Sequence, residues 1–449
     1  GAYMRDLNIE LWKLGVSAKT QHNEVAPAQH ELAPIYSTAN IEVDHNQIIM
    51  ETMKRVAIRH DMNCLLHEKP FAGINGSGKH NNWSLVTDSG VNLLEPGETP
   101  NQNIQFLLVL ACVLKAVDRH ADLLKQSASN VGNDQRLGAH EAPPTIMSVF
   151  LGEQLEDVVD QLIETGEAKS CLHGNKLMTG VSTLPDLDMD ATDRNRTSPF
   201  AFTGNKFEFR MLGSSASVAG PNTTLNTAVA EVLSQFADEL EGAEDFEAAI
   251  QALIKRVIKE HKRIIFNGNG YDEAWDKEAE KRGLLNLKTT PDCLPYMLHK
   301  KNIDLYTKHG VYSEAEIKAH YEIKNEKYCK YLNIEVLTMI DMTKKDILPC
   351  VSRQVSELTA TILAKRAVGE YIDTTYEEAV AKELSGLSKE AFNAVNELEK
   401  LSTEVKAIEE KAATEIEIKE TKQNIYNDFI ERAKDRVKKN LEIDRQNAQ

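Results

Sequence analysis

Hydrophobic and polar positions fall into two regimes along the chain. To about Leu225, strand-like alternations and helical repeats are joined by loops rich in Gly, Asn and Pro. Residues 41–60, IEVDHNQIIMETMKRVAIRH, place apolar side chains at helical spacing and predict an amphipathic helix. CLLHEKP (64–70) predicts a strand or strand end running into a glycine loop, and NNWSLVT (81–87) a second short strand. Residues 102–124, which hold the apolar run FLLVLACVL, predict a largely buried helix, and NVGNDQRLGAHEAPP (130–144) predicts an irregular loop. KFEFRM (206–211) alternates most cleanly. As a strand it puts Lys206, Glu208 and Arg210 on one face and Phe207, Phe209 and Met211 on the other. That suits the wall of a polar cleft and equally a solvated edge strand. Beyond Leu225, Ala, Glu, Lys and Leu recur at helical spacing, with few glycines after Gly283; residues 376–441 predict long polar helices, solvated against the core or forming a hairpin. The expected organisation is α+β, with a sheet domain over 1–225 and a helical region over 226–449 that completes and extends it.

Composition narrows the function classes. The chain has 449 residues, 41% hydrophobic and 27% charged, as in soluble globular proteins. A formal charge of -17 argues against a nucleic-acid or anionic-membrane partner, both of which need a basic surface. The six cysteines are scattered with no C-x-x-C pair, which fits a reducing, cytoplasmic setting and no zinc or disulfide framework. The longest apolar run is too short to span a bilayer.

GINGSGKH (73–80) is one letter from the phosphate-binding pattern G-x-x-x-x-G-K-[ST]. A working version needs a hydroxyl after the lysine and a helix starting there; His80, Asn81, Asn82 and Trp83 follow instead and favour a strand or loop. The same loop offers bare amides and an imidazole able to ligate a divalent cation. Carboxylate partners are at hand in NEVAPAQHELAP (23–34), where Glu24 and Glu31 stand seven apart. One regular strand sends such a pair to opposite faces, whereas a bulge or turn at Pro27–Ala28 brings them to one side. RLGAHEAPP (136–144) adds Arg136 and Glu141, and DRNRTSPF (193–200) adds Arg194 and Arg196, guanidinium forks suited to carboxylate and phosphate oxygens. Together these residues describe a site for a divalent cation and an anionic, phosphorylated substrate, hence a metal-dependent phosphoryl-transfer enzyme.

The segments NEVAPAQHE, KPFAGINGSGKH, RLGAHEAP, RNRTSPF and KFEFR, in this order, resemble glutamine synthetase. The flavour is that of the long type III form, carried also by ELWKLGVSAKTQHNEVAPAQHELAPIY, by FNGNGYDEAWDKEAEKRGLLN (266–286) and by IEVLTMIDMTKKDILPCV (334–351). The resemblance implies a curved, mainly antiparallel sheet surrounded by helices, with a helical extension. It implies ATP as co-substrate, Mg2+ or Mn2+, L-glutamate and ammonium as substrates, and a hexamer or stacked double hexamer. Carried over by position, it implies Glu24 and Glu31 as ligands of one cation and His80 and Glu208 of the second. Asn75, Gly76, Arg136 and Arg210 would hold the substrate glutamate; Ser84, Lys206, His80 and Arg196 would face ATP and the phosphoryl group. Glu141 would be the acid on the flap that closes over the intermediate. The chemistry implied is conversion of the γ-carboxylate to a γ-glutamyl phosphate that ammonia attacks.

Three departures stand out. Ala201 occupies the place of a second arginine found in soluble type I enzymes, and Arg136 and Glu141 are one residue closer than the common spacing. The family's first metal-binding glutamates, its ammonium-side aspartate and its small N-terminal β-domain have no counterpart here, so the chain is expected to be a C-terminal catalytic portion, inactive alone. The competing expectations are a ligase for an amine larger than ammonia and a non-catalytic ring-forming paralogue.

Overall fold

Tyr3, Met4, Leu7 and Leu11 recur every three or four residues. In the computed structural model of the chain, which describes residues 1–138, 140–170, 176–177, 187–188 and 197–412, they bury one face of helix α1 (Ala2–Lys13). That face packs on Ile49, Val56 and Ala57 of α2 (Ala39–Arg59), the helix expected from its periodicity. Between the two helices the chain doubles back as an antiparallel hairpin, β1 (Ala18–Asn23) and β2 (His30–Pro34).

The apolar run becomes α3 (Ile104–Arg119), apolar nearly all round and therefore interior. The Asn103 side chain caps it, accepting from the Phe106 amide at 3.0 Å. The single helix expected over 102–124 breaks at His120, whose imidazole meets Asn302, and resumes as α4 (Ala121–Ser127). The loop expected from residue 130 opens instead with a short helix, α5 (Val131–Arg136), because the Asn130 side chain accepts from the Asn133 amide at 2.8 Å and starts a turn.

A four-stranded sheet forms the other wall of the core. Its strands are β3 (Asn81–Trp83), β4 (Val149–Phe150), β7 (Phe200–Phe202) and β8 (Phe207–Phe209), in the order β3-β8-β7-β4. The first two pairings are antiparallel and the third parallel, so the sheet is mainly antiparallel as expected. A separate two-residue pair joins β5 (Lys176–Leu177) and β6 (Leu187–Asp188). The register sets Phe200 against Phe209 and Phe202 against Phe207 on one face, where the Phe200 and Phe207 rings stack at 4.7 Å. The opposite face carries a cross-strand row of Ala201, Glu208 and Asn82.

Two strand expectations are corrected. CLLHEKP forms no strand, because the Glu68 carbonyl is committed to the Ser77 amide of the glycine loop at 2.8 Å and its side chain turns into the interior. NNWSLVT keeps only its first three residues in the sheet; after Trp83 the chain folds on itself, Leu93 donating to Leu85 and Thr87 to Val91.

Helices α6 (Glu153–Glu164), α7 (Ala219–Leu240) and α8 (Phe246–His261) share the core with α3 and the sheet, followed by α9 (Glu273–Lys281), α10 (Thr290–Cys293) and α11 (Lys300–Lys308). Residue 225 lies inside α7 and is buried there. The chain divides into two compact units, Gly1–Ile323 and Lys324–Gln449. The second holds most of α12 (Glu314–Met342), then α13 (Leu348–Val368) and α14 (Thr375–Ala412). Ion pairs Lys365–Glu377, Arg366–Glu378 and Lys344–Glu399 run in opposite directions along α13 with its lead-in and α14, making an antiparallel hairpin. Pro349 cannot donate a helical bond, and the turn before it widens to a π-helix over Thr343–Ile347.

Candidate active site

The β1–β2 hairpin resolves the spacing of the two glutamates. Pro27 and Ala28 form its turn, with Ala28 in the left-handed region at φ 55° and the Gln29 amide bonded to Ala26. Register then puts Glu31 opposite His22, with Glu24 one residue past the end of β1. The His22 Nε2 lies 2.8 Å from Glu24 Oε1 and 3.1 Å from Glu31 Oε2. All three residues offer ligand atoms within 4.8 Å of one another. The two carboxyls share a hydrogen bond that drives them apart in acidity: Glu24 is held below the ordinary carboxylate range and Glu31 is raised, with burial adding to the rise. Both also sense the charge of His80. His22 was not singled out by sequence; the H-x-E spacing at the end of a strand was the available signal.

His80 precedes β3 and faces the polar side of the sheet, its Nδ1 2.9 Å from Glu208 Oε1. Glu208 is 1% exposed and sits on β8, an interior strand, so of the charged row of KFEFRM Glu208 and Arg210 are buried rather than on a solvated edge, while Lys206 lies just before the strand and is half-buried. Ala201, in the place of the type I arginine, lies directly across from Glu208 and is fully buried.

The glycine loop is wrapped around two buried charges. Arg136 is 6% exposed, and its guanidinium donates to Asn133 Oδ1 at 3.1 Å and to the carbonyls of Met211 and Leu212. Burial lowers its pKa to about 10, against the pull of Glu68. A Cβ on Gly76 would collide with the Glu68 carbonyl and the Arg136 stem, and one on Gly78 with the Arg136 guanidinium. Glu68, absent from the expected site, is 2% exposed and accepts from Ser215 Oγ at 2.6 Å, the Ser215 amide at 3.1 Å and Asn130 at 3.2 Å. Its carboxylate fills the space a Cβ on Gly132 or Gly213 would need. The signal for it was a charged triplet, HEK, leading into the loop.

Lys79, which makes the loop look like a phosphate cradle, turns away from any such role. Its amine bonds Asn46, Met50 and the Ala216 carbonyl, tying α2 to the segment after β8, and burial lowers its pKa to about 8.

The remaining expected residues divide. Asn75 Nδ2 donates to Glu141 Oε2 at 3.2 Å, joining the glycine loop to the loop after α5. Gly76 accepts from Gln29 of the hairpin at 3.2 Å, and the Arg210 carbonyl lies 3.5 Å from the Arg136 guanidinium. Ser84 and Lys206 lie near one another: the Ser84 hydroxyl donates to Asn92 at 2.6 Å and is 3.2 Å from the Asn205 carbonyl. Arg194 and Arg196 lie outside the described residues.

The model of the glutamine synthetase catalytic domain matches residues 1–147, and that of the glutamine synthetase C-terminal domain matches 249–366. A glutamine synthetase of Butyrivibrio fibrisolvens is 47% identical over 88% of this chain and 57% of its own. A type-3 glutamine synthetase of Dictyostelium discoideum is 46% identical over 78% of this chain and 48% of its own. The chain thus spans about half the length of the curated relatives it matches. A cryo-electron-microscopy structure of Plasmodium falciparum glutamine synthetase aligns over 74% of this chain and 59% of its own, at 14% identity and a TM-score of 0.48.

Proposed function

Because this chain belongs to the glutamine synthetase family, we propose that it carries the catalytic portion of a ligase. The reaction is ATP-dependent joining of ammonia to the γ-carboxylate of L-glutamate through a γ-glutamyl phosphate, in a cytoplasmic hexamer or stacked double hexamer. The observation that carries this reading is the convergence of Glu24 and Glu31 beside His22, together with His80 held by the buried Glu208.

The donor set fits magnesium or manganese: carboxylate oxygens and imidazole nitrogens, crowded close enough to repel unless a proton or cation sits among them. His22, Glu24 and Glu31 would hold one ion and His80 with Glu208 the second. Ions bound there would neutralise charge on the phosphoryl oxygens. Glu208, in the sheet interior, fixes the His80 ring and its tautomer by accepting at Nδ1. Asn75, Gly76, Arg136 and Arg210 surround the place for the substrate glutamate; Arg136, buried as it is, acts there by holding the carbonyls of Met211 and Leu212. Ser84 and Lys206 face the nucleotide, and the phosphoryl-side role that the family resemblance implies for Arg196 falls outside the described residues. Glu141 shields the acyl phosphate from water and takes the proton of bound ammonium.

The test is ADP release that requires both glutamate and ammonium, measured on the complete gene product with divalent cation. Activity is expected, and Glu208→Ala is expected to lower it at least about 100-fold. Full activity in the variant, or no glutamate-dependent turnover in the parent, overturns the reading.

A further inference from the structure

The segment FNGNGYDEAW enters the site although no chemistry was assigned to it. Its first half is fastened to the sheet: the Phe266 amide donates to Val149, and Asn267 Oδ1 accepts from the Leu151 and Gly152 amides at 2.9 and 3.2 Å. Stacking of Phe266 on Trp275 at 3.6 Å closes the loop on itself. From that anchored base the Gly270 amide donates to Thr197 Oγ1 at 2.7 Å. A Cβ on Gly270 would stand only 3.0 Å from the Thr197 carbonyl and 3.1 Å from Pro144 Cγ, so a methyl there would crowd both and shift the contact by a few tenths of an ångström. The next residue, Tyr271, donates its hydroxyl to the Ala142 carbonyl at 3.0 Å.

Ala142 follows the two most strained positions of the candidate flap. His140 and Glu141 both lie in the left-handed region, at φ 52° and 68°, a conformation that side-chain-bearing residues hold only under constraint. The constraints visible are the Gly138 amide on the Pro143 carbonyl at 2.9 Å, Asn75 on the Glu141 carboxylate, and Tyr271 on Ala142. Both Asn75 and the tyrosine tie the loop to segments remote in sequence, and the tyrosine does so from a segment fastened to the sheet through Phe266 and Asn267.

We propose that Tyr271 is a positioning residue that latches the loop bearing Glu141, holding its carboxylate over the reacting centre and keeping water out. This rests on the ligase reading of the site. With the latch loosened, water competes with ammonia for the γ-glutamyl carbonyl: the bond from that carbon to the phosphate oxygen breaks, phosphate leaves, and glutamate is regenerated instead of glutamine. ATP is then spent without product.

Tyr271→Phe removes the hydroxyl and keeps the ring. In the complete gene product, hydrogen exchange of the amides at 138–142 is expected to quicken about five-fold, the worth of one ordinary hydrogen bond, with the thermal midpoint lowered by no more than about 3 °C. Phosphate released per glutamine formed is expected to rise at least about three-fold, while KM for ATP stays put. Gly270→Ala, which crowds Thr197 and Pro144 and shifts that contact, is expected to do the same. Exchange at 138–142 equal to the parent's overturns the latch, and faster exchange with an unchanged phosphate-to-glutamine ratio overturns its role in the chemistry. Should the parent form no glutamine, the ligase reading fails, and the exchange measurement alone decides whether the latch exists.

Discussion

Glu68 shows how one buried acid organises the residues proposed for the chemistry without belonging to them. Three hydrogen bonds converge on its carboxylate, and the Arg136 charge is near enough to feel it. Removing it leaves Asn130 and Ser215 without their acceptor and a guanidinium less compensated in the interior. Glu68→Ala is expected to destabilise the first unit by about 3 kcal/mol, read as a lower urea midpoint with unchanged slope. Glu68→Gln, which keeps an acceptor, is expected to recover more than half; equal losses for the two variants would show that the negative charge, which both remove, and not volume is what matters. On the hairpin, Glu31→Gln is expected to weaken Mn2+ binding at least about tenfold by calorimetry, since it converts an anionic donor to a neutral one. Binding unchanged from the parent would remove Glu31 from the ligand set.

At the scale of elements, acidic ties between helices give a pH signature remote from the site. Glu231 on α7 meets Lys308 and His309 at the end of α11, each at 2.8 Å. Burial pushes its carboxyl up, but hydrogen bonds from Lys308, Gln235 and His309 outweigh that and hold it at about 2, below its ordinary 4.5. The unfolded chain therefore binds this proton more readily, so the tie is at full strength above pH 4.5 and is lost as pH falls toward about 2. The stability difference between the parent and Glu231→Gln should be constant above that window and vanish across it in urea titrations; a gap that persists below it would assign the effect to packing.

Element by element, the sequence was legible where periodicity and burial agree. α2, α3 and the alternation of KFEFRM follow from which side chains are apolar, and the Glu24–Glu31 pairing follows from a turn at Pro27–Ala28. It was illegible where a side chain competes with its own backbone. Asn130 starts a helix inside a polar loop, and Glu68 turns an apparent strand inward. Periodicity also could not decide whether the charged face of β8 meets water, because that depends on β3 and β7 flanking it, strands far away in sequence. Tyr271 was hidden for the same reason: its partner lies 129 residues earlier.

For the whole molecule, the division into Gly1–Ile323 and Lys324–Gln449 places the main core entirely in the first unit. Residues 1–323 alone are expected to unfold in one cooperative urea transition by circular dichroism, as a unit with its own core does. A broad, non-cooperative loss of helix would show that the second unit is required for the first to fold. The family's ring assembly, proposed here, is a separate matter of subunit contacts.

The glycines at 76, 78, 132 and 213 carry one more consequence. None adopts a positive φ, so what demands glycine is occupied volume rather than backbone freedom. Each is locked to the size of Glu68 or Arg136, contributed by a different stretch of chain. Substitutions here therefore have a permitted order: a shortened side chain at 68 must come before alanine at 132 or 213, and the reverse sequence passes through a clash. Lineages that drift at these positions should change them together, and a stabilising programme of glycine-to-alanine exchanges should leave all four alone.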